Sequence, residues 1–388
     1  EQPELGASVR KYVEQNFSVE QETPMPNTNA PDRHPSEQDQ LRKLRETWPS
    51  TQHGGWIEGE GQPEWVSVII PTYNREQHLL KALDSVYQQT YRPIEVIVID
   101  DGSTDETKMQ VRRWAKEHRA ESFHVQYLFQ ENAGPSAARN RGLIRSSGEY
   151  IQFLDSDDRI HPQKLSVHVR ALETSPPCDA VLGDNVQFDP REAEPTFKKW
   201  QEARLVENAV RRQLDGELSI MGGNLLNGLY RRKLCRWAGP INETLRWMED
   251  VEYNLRMSAV ASAVRTVDAP FLAFGRHSTD HLTGVTDRAE GARSGLASVA
   301  AMEETIDKLE APQDASIRRT VATFYMGIAR LALKVGHPEA AKRCLAGALR
   351  NRTDLPFQIK GWGLRAARRL IGDKWTRALW TWATGVNA

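Results

Sequence analysis

Residues 148–160, GEYIQFLDSDDRI, run from an apolar, aromatic stretch straight into three carboxylates, Asp155, Asp157 and Asp158. Runs of that composition are buried strands of parallel sheets, and such sheets bind ligands just beyond the carboxyl ends of their strands. Two carboxylates two residues apart in a tight bend can hold a hard divalent cation through oxygen, and the cation can neutralise a diphosphate. An isolated acidic cluster after a strand is more often a solvated turn or a helix cap. Three further loops give this one a context.

VSVIIPTYNR, residues 66–75, ends an apolar run in Pro71, Tyr73 and Asn74, then opens an amphipathic helix through Leu79, Leu83 and Val86. IEVIVIDDGSTDET, residues 94–107, ends a β-branched run in Asp100 and Asp101. FHVQYLFQENAGPSAARNRGL, residues 123–143, alternates as a strand and then starts a Gly/Ala/Arg-rich helix carrying Gly134 and Arg139. Strand, loop and helix recur at the spacing of parallel βαβ units, so all four polar loops must lie along one edge of one sheet. No Gly-x-Gly-x-x-Gly opens the first helix, which disfavours a dehydrogenase.

In that order and within about a hundred residues, the four loops form a joint pattern that chance would rarely produce. It resembles the family 2 glycosyltransferases, inverting enzymes of the GT-A fold with an Asp-x-Asp motif, over roughly residues 66–284. Downstream, LLNGLYRRKLCRWAGPINETLRWMEDVEYNLRM (225–257) is similar to the family's acceptor-side segment, and Glu249 and Asp250 match its Glu-Asp pair. FLAFGRHSTDHLTG (271–284) is similar to the late strand whose histidine completes the metal site in some members. Phe274 and Gly275 replace the usual tyrosine before the arginine, and His277 is preferred to His281 because it follows Arg276.

The resemblance implies roles for each position. Pro71 and Tyr73 would line the nucleotide base and Asp101 would bind base or ribose, while Asp100 anchors its own loop. Gly134 and Arg139 would lie by the diphosphate, where a planar permanent cation suits phosphate oxygens. Asp155, Asp157 and His277 would hold a divalent metal ion, manganese or magnesium, with Asp157 the first choice as direct ligand; Asp158 would touch metal or sugar. Glu249 joins the donor site, and Asp250 would be the general base, against the plainer reading of a first-turn acid favourable to its helix dipole. The donor would be a nucleotide-sugar, a UDP-sugar first, and the acceptor a saccharide or lipid-linked glycan. Gly222, Gly223 and Asn224 fit either an acceptor-side loop or a tight turn.

The elements that must position these residues predict an α/β fold: a Rossmann-like, mostly parallel sheet flanked by helices over residues 66–285. Residues 1–65 read as a partly disordered extension whose Gly-rich end is a linker, 286–356 as an α-helical appendage, and 357–388 as a basic, Trp-rich amphipathic tail. In the appendage Leu296, Val299, Met302, Ile306 and Leu309 form one apolar stripe. Ile317, Val321, Phe324, Ile328 and Leu331 form a second, with Pro338 opening the next helix, and the pair resembles a single tetratricopeptide unit. Trp362, Trp375, Trp380 and Trp382 in the tail suit either packing on the catalytic domain or peripheral contact with an anionic inner membrane surface.

A net charge of −1 with 27% charged residues gives no basic field to recruit nucleic acid. The three scattered cysteines, Cys178, Cys235 and Cys344, favour reduced thiols, and no apolar run matches a membrane span, so a cytoplasmic enzyme is expected. A processive polysaccharide synthase would carry Gln-x-x-Arg-Trp after the Glu-Asp pair. Here QVRRW, residues 110–114, lies before the acidic loop and is a chance match. A catalytically inactive binding or scaffold protein is the remaining alternative, disfavoured by the presence of both Asp157 and Asp250.

Overall fold

The computed structural model describes residues 56–57, 59–175, 177–188, 210–213, 225–245, 248–261, 263–275, 295–301, 304, 325, 328–329, 332 and 338–350. They fall into two compact units, one within Asp39–His281 and one within Leu282–Ala388, where the sequence puts the division at 285/286.

In the first unit, β1 (Gln62–Thr72), β2 (Ile94–Asp100), β3 (Phe123–Phe129) and β4 (Gly148–Phe153) lie in the order β3-β2-β1-β4, all parallel. Helices α1 (Glu76–Tyr87), α2 (Thr107–Glu117) and α3 (Pro135–Arg145) provide the crossovers. β2, IEVIVID, is buried along nearly its whole length, the pattern of a strand covered on both faces. α1 buries Leu79, Ala82, Leu83 and Val86 on one stripe. Strand order reverses between β1 and β4, and a crevice for ligands opens beyond the strand ends at such a switch point.

β1 starts at Gln62, inside the stretch the sequence assigns to the linker. The Gln62 amide donates to the Ser147 carbonyl at 2.6 Å, and a register irregularity lies between Gln62 and Val66. Backbone pairing with β4 recruits these polar residues without an apolar pattern to announce it.

The sheet continues with β8 (Gly228–Arg231), β6 (Ala180–Phe188), β9 (Val264–Gly275) and β5 (Arg159–Ile160), while β7 (Val210–Gln213) also pairs with β9, giving nine strands among the described residues. β8 runs antiparallel to both β4 and β6, whereas β6 and β9 are parallel. α4 (Lys164–Glu173) follows the acidic loop, and α5 (Arg232–Ala238) and α6 (Glu249–Val260) follow β8.

α3 lies unusually close to β1. A Cβ at Gly142 would run into the Ile69 side chain. Gly142→Ala should therefore overpack this contact and cost about 1–3 kcal/mol, read as a lower urea midpoint at unchanged m-value.

In the second unit, Pro338 opens the helix Pro338–Arg350 as the sequence predicts, and Ala341, Cys344, Leu345 and Ala348 are buried. A Cβ on Gly347 would come within 2.5 Å of the Tyr325 ring, so the small residue admits the facing helical segment. Val299 and Ile328 of the two stripes are buried. Met302, Ile306, Leu309, Ile317, Val321, Phe324 and Leu331, like residues 1–55 of the N-terminal extension and the Trp-rich tail, lie outside the described residues. Among the described residues no helix is long and apolar enough to cross a membrane.

Candidate active site

Because β1 to β4 are parallel, the loops that follow them share one edge. Asp100 is buried and accepts from the Ser103 amide at 2.8 Å and from the Tyr127 hydroxyl, holding its own loop. Asp101, also buried, accepts from Gln130 Nε2 at 2.7 Å and from the amides of Ala133 and Gly134 at 2.8 Å each. Its contacts are thus to the β3–α3 loop. Gly134 has φ 91°, a conformation open to glycine, and nothing lies within 4 Å of where its Cβ would be. A ligand can approach that backbone closely. Pro71 is buried in β1, so the exposed aromatic of the first loop is Tyr73.

The first and second loops are tied together. Asn74, at φ 50°, accepts from the Thr104 amide at 2.8 Å and donates its own amide to Ser103 Oγ at 2.9 Å. The Glu106 amide donates to Glu76 Oε2 at 3.1 Å.

Arg139 is the centre of the site. It sits on the buried face of α3, and its guanidinium donates to Asp155 Oδ1 at 2.8 Å and to Glu249 Oε1 at 3.1 Å. Burial opposes its charge, but Asp155, Glu249 and Asp250 hold its pKa above the ordinary arginine value. One side chain thereby joins the acidic loop to the Glu-Asp pair, across 110 residues of sequence. The next residue, Asn140, donates to the Ile241 carbonyl and to Glu243 Oε1 at 2.8 Å each and accepts from the Ile241 amide at 2.7 Å. α3 therefore fixes the segment leading into α6 as well as the acidic loop.

Asp250 lies in the first turn of α6, where its Oδ1 accepts from the Val251 amide at 2.9 Å. Burial pushes its pKa up to about 6, with the neighbouring Glu249 charge adding and Arg139 opposing. Met248, just before the pair, is left-handed at φ 60°, a costly state for a side chain of that size. It turns the chain so that both acids enter the helix start together.

Asp157 pairs with Arg75 from the first loop. Asp158 is buried, and its charge favours the protonated form of Lys164. Lys164 is fully buried and donates to the carbonyls of Leu226 and Asn227 at 3.0 Å each; burial lowers its pKa to about 7, against the pull of Asp158.

No group of three or more His, Cys, Asp or Glu side chains able to hold a metal occurs among the described residues. His277, with Arg276 and His281, lies outside them, as do Gly222, Gly223 and Asn224. The donors present at the acidic loop are carboxylate oxygens on Asp155 and Asp157. Hard cations such as magnesium are commonly held by one or two carboxylates, with substrate phosphates and water completing the shell, so this donor set fits that class.

The structure thus gathers Arg139, Asp155, Glu249 and Asp250 into one cluster, joins Asp101 to Gly134, and buries Asp158. Sequence reasoning missed Arg75, Asn140 and Lys164. Arg75 stood in view beside Asn74, but its partner lies 82 residues away.

Residues 67–235 match the family model described as Glycosyl transferase family 2. Glycosyltransferase GlyA of Streptococcus pneumoniae is 40% identical over 129 residues, 33% of this chain and 18% of the relative. The matches span only 15–18% of the length of the first curated relatives. Among solved structures, S. aureus TarS 1-349 in complex with UDP-GlcNAc superposes with a TM-score of 0.50 at 17% identity, covering 74% of this chain and 89% of that 1-349 chain. The mannosyltransferase PcManGT from Pyrobaculum calidifontis, in complex with GDP-Man and Mn2+, gives 0.50 at 19% identity, covering 98% and 96%. At these identities the likeness shows the fold, which is the GT-A fold expected from the loops. The resemblance to family 2 glycosyltransferases is borne out over the matched residues.

Proposed function

We propose that this chain, matched to the family 2 glycosyl transferases over residues 67–235, moves a sugar from a nucleotide-sugar donor to a saccharide or lipid-linked glycan acceptor with inversion. The observation that carries the reading is Arg139, whose single guanidinium binds both Asp155 of the acidic loop and Glu249 beside Asp250. A donor site and a candidate base, distant in sequence, are thereby held at one sheet edge.

In this reading Tyr73 offers its exposed ring to the base. The open backbone at Gly134 admits the diphosphate, and Asp155 and Asp157 hold a divalent cation, which when bound neutralises the leaving diphosphate. Asp250 takes the proton of the acceptor hydroxyl as that oxygen bonds to the anomeric carbon and the bond to the diphosphate breaks. Its raised pKa brings the carboxylate closer to an alcohol's basicity while leaving it ionised at neutral pH. A UDP-sugar is the first donor to test, in keeping with the UDP-GlcNAc that TarS binds, and a GDP-sugar the second, in keeping with PcManGT.

The test is nucleotide release from a panel of UDP- and GDP-sugars with manganese, with and without acceptor. Acceptor-stimulated release supports the proposal. Tight donor binding without turnover would identify a binding protein instead. Asp157→Ala, or a chelator, should abolish manganese-enhanced nucleotide binding in a thermal-shift titration; binding that survives both would point to a metal-independent site.

Peripheral contact with an anionic membrane belongs to the same proposal, supported by the tryptophans and basic residues of 357–388. Deleting 357–388 should abolish sedimentation with phosphatidylglycerol liposomes while leaving donor binding unchanged. Equal sedimentation of the truncated and full chains would remove the tail's role.

A further inference from the structure

We propose that Arg75 is a diphosphate ligand held in reserve: paired with Asp157 when the donor is absent, it is displaced by the divalent cation and turns to the donor's phosphates. The inference rests on the donor-site reading above and concerns a residue that the resemblance leaves without a role.

Arg75 comes from the loop after β1 and Asp157 from the loop after β4, so the pair bridges the two sides of the strand-order switch point. It is no local helix pair. The backbone on both sides of Arg75 is fixed: Asn74 is locked to Thr104 and Ser103, and Glu76 holds the Glu106 amide. The arginine side chain retains 23% exposure and its partner 12%, so the pair is partly open to solvent and not sealed in the core. A fixed backbone and a partly exposed head group on a long stem allow the head group to move without disturbing the fold.

The charges give the motion its direction. A guanidinium and a divalent cation on the same carboxylate repel each other, so each weakens the other's hold on Asp157. The doubly charged ion wins a hard carboxylate oxygen. A guanidinium released there lies beside the phosphate oxygens that the same ion draws in, and its planar fork matches them. Metal and nucleotide should therefore bind cooperatively in excess of direct bridging. The coupling is reciprocal, because each ligand removes the contact that hinders the other.

The test measures two affinities with Arg75→Gln. Mn2+ binding without nucleotide, followed by electron paramagnetic resonance of the free ion, should tighten roughly two- to tenfold, since a competing cation has gone. Binding of the tighter of UDP and GDP at saturating Mn2+, followed by calorimetry, should weaken on the order of tenfold, since a charge-assisted phosphate contact has gone. Arg75→Lys should keep the Mn2+ affinity near wild type and recover only part of the nucleotide affinity. Opposite signs are what a merely structural role would not produce. Mn2+ affinity that is unchanged or falls in Arg75→Gln, or nucleotide affinity that is unchanged, overturns the inference while the donor site stands. A wild-type chain that binds neither Mn2+ nor either nucleotide overturns the reading of the site, and this inference with it.

Discussion

Asp250→Asn should fold, bind donor and cation nearly as the wild type does, and lose transfer to acceptor by about 10²–10⁴ in rate, the usual worth of a positioned general base. The substitution keeps the shape and the acceptor oxygen for the Val251 amide, 2.9 Å away in the native chain, so the helix start survives. Only basicity goes. The wild-type rate should also show an acid limb near pH 6, where burial and the Glu249 charge place the carboxyl, with Arg139 opposing and Asp155 adding a smaller upward push. Transfer rises with pH through that limb as Asp250 ionises. Glu249→Gln removes a neighbouring negative charge and should move the limb to lower pH; it also reduces the ion pair with Arg139 to a neutral-acceptor hydrogen bond, so its rate falls without vanishing. A fully active Asp250→Asn enzyme assigns the base elsewhere, to Glu249 first. An enzyme that merely unfolds makes Asp250 a structural first-turn acid.

The first half of the sheet was legible in the sequence because parallel strands buried on both faces must be apolar throughout. Ile94–Asp100 and Gly148–Phe153 state their burial in their composition, and each ends where the carboxylates begin. The loops followed from that, since parallel strands place them at one edge. Pairing between loops was not legible. Arg75 with Asp157 and Asn140 with Ile241 are 82 and 101 residues apart, and only the folded topology brings them together. Asp101 illustrates a subtler point. Its type and place suggest a ligand contact, and the structure adds three donors from its neighbouring loop to its two oxygens. A carboxylate has about four acceptor sites, so anchoring the loop and meeting a ligand are compatible, and sequence pattern shows only the second role. The left-handed Met248 was equally hidden, because residue preference disfavours that conformation for methionine.

Arg139→Met should destabilise the catalytic unit by about 3–5 kcal/mol at neutral pH, the cost of breaking a buried ion pair by removing one partner. Methionine fills similar volume, so the loss is electrostatic: Asp155 and Glu249 lose their hydrogen-bonded cation, and Asp250 loses the one charge that lowers its pKa. The pH dependence carries the sign. Asp250 has a folded pKa raised from 3.8 to about 6, so between those values the folded state binds more protons than the unfolded one, and stability contributed by this group falls as pH rises through that window. Removing Arg139 pushes the folded pKa higher still. The stability gap between mutant and wild type should then be widest at neutral pH and narrow towards pH 5, as the uncompensated carboxyl takes up its proton. Urea unfolding of both proteins at the two pH values measures it. Arg139→Lys keeps the charge without the two-armed grip and should recover part of the gap. A gap of equal size at both pH values would make Arg139 a packing residue, and the joining of the acidic loop to the Glu-Asp pair would then rest on Asn140 and its hold on Ile241.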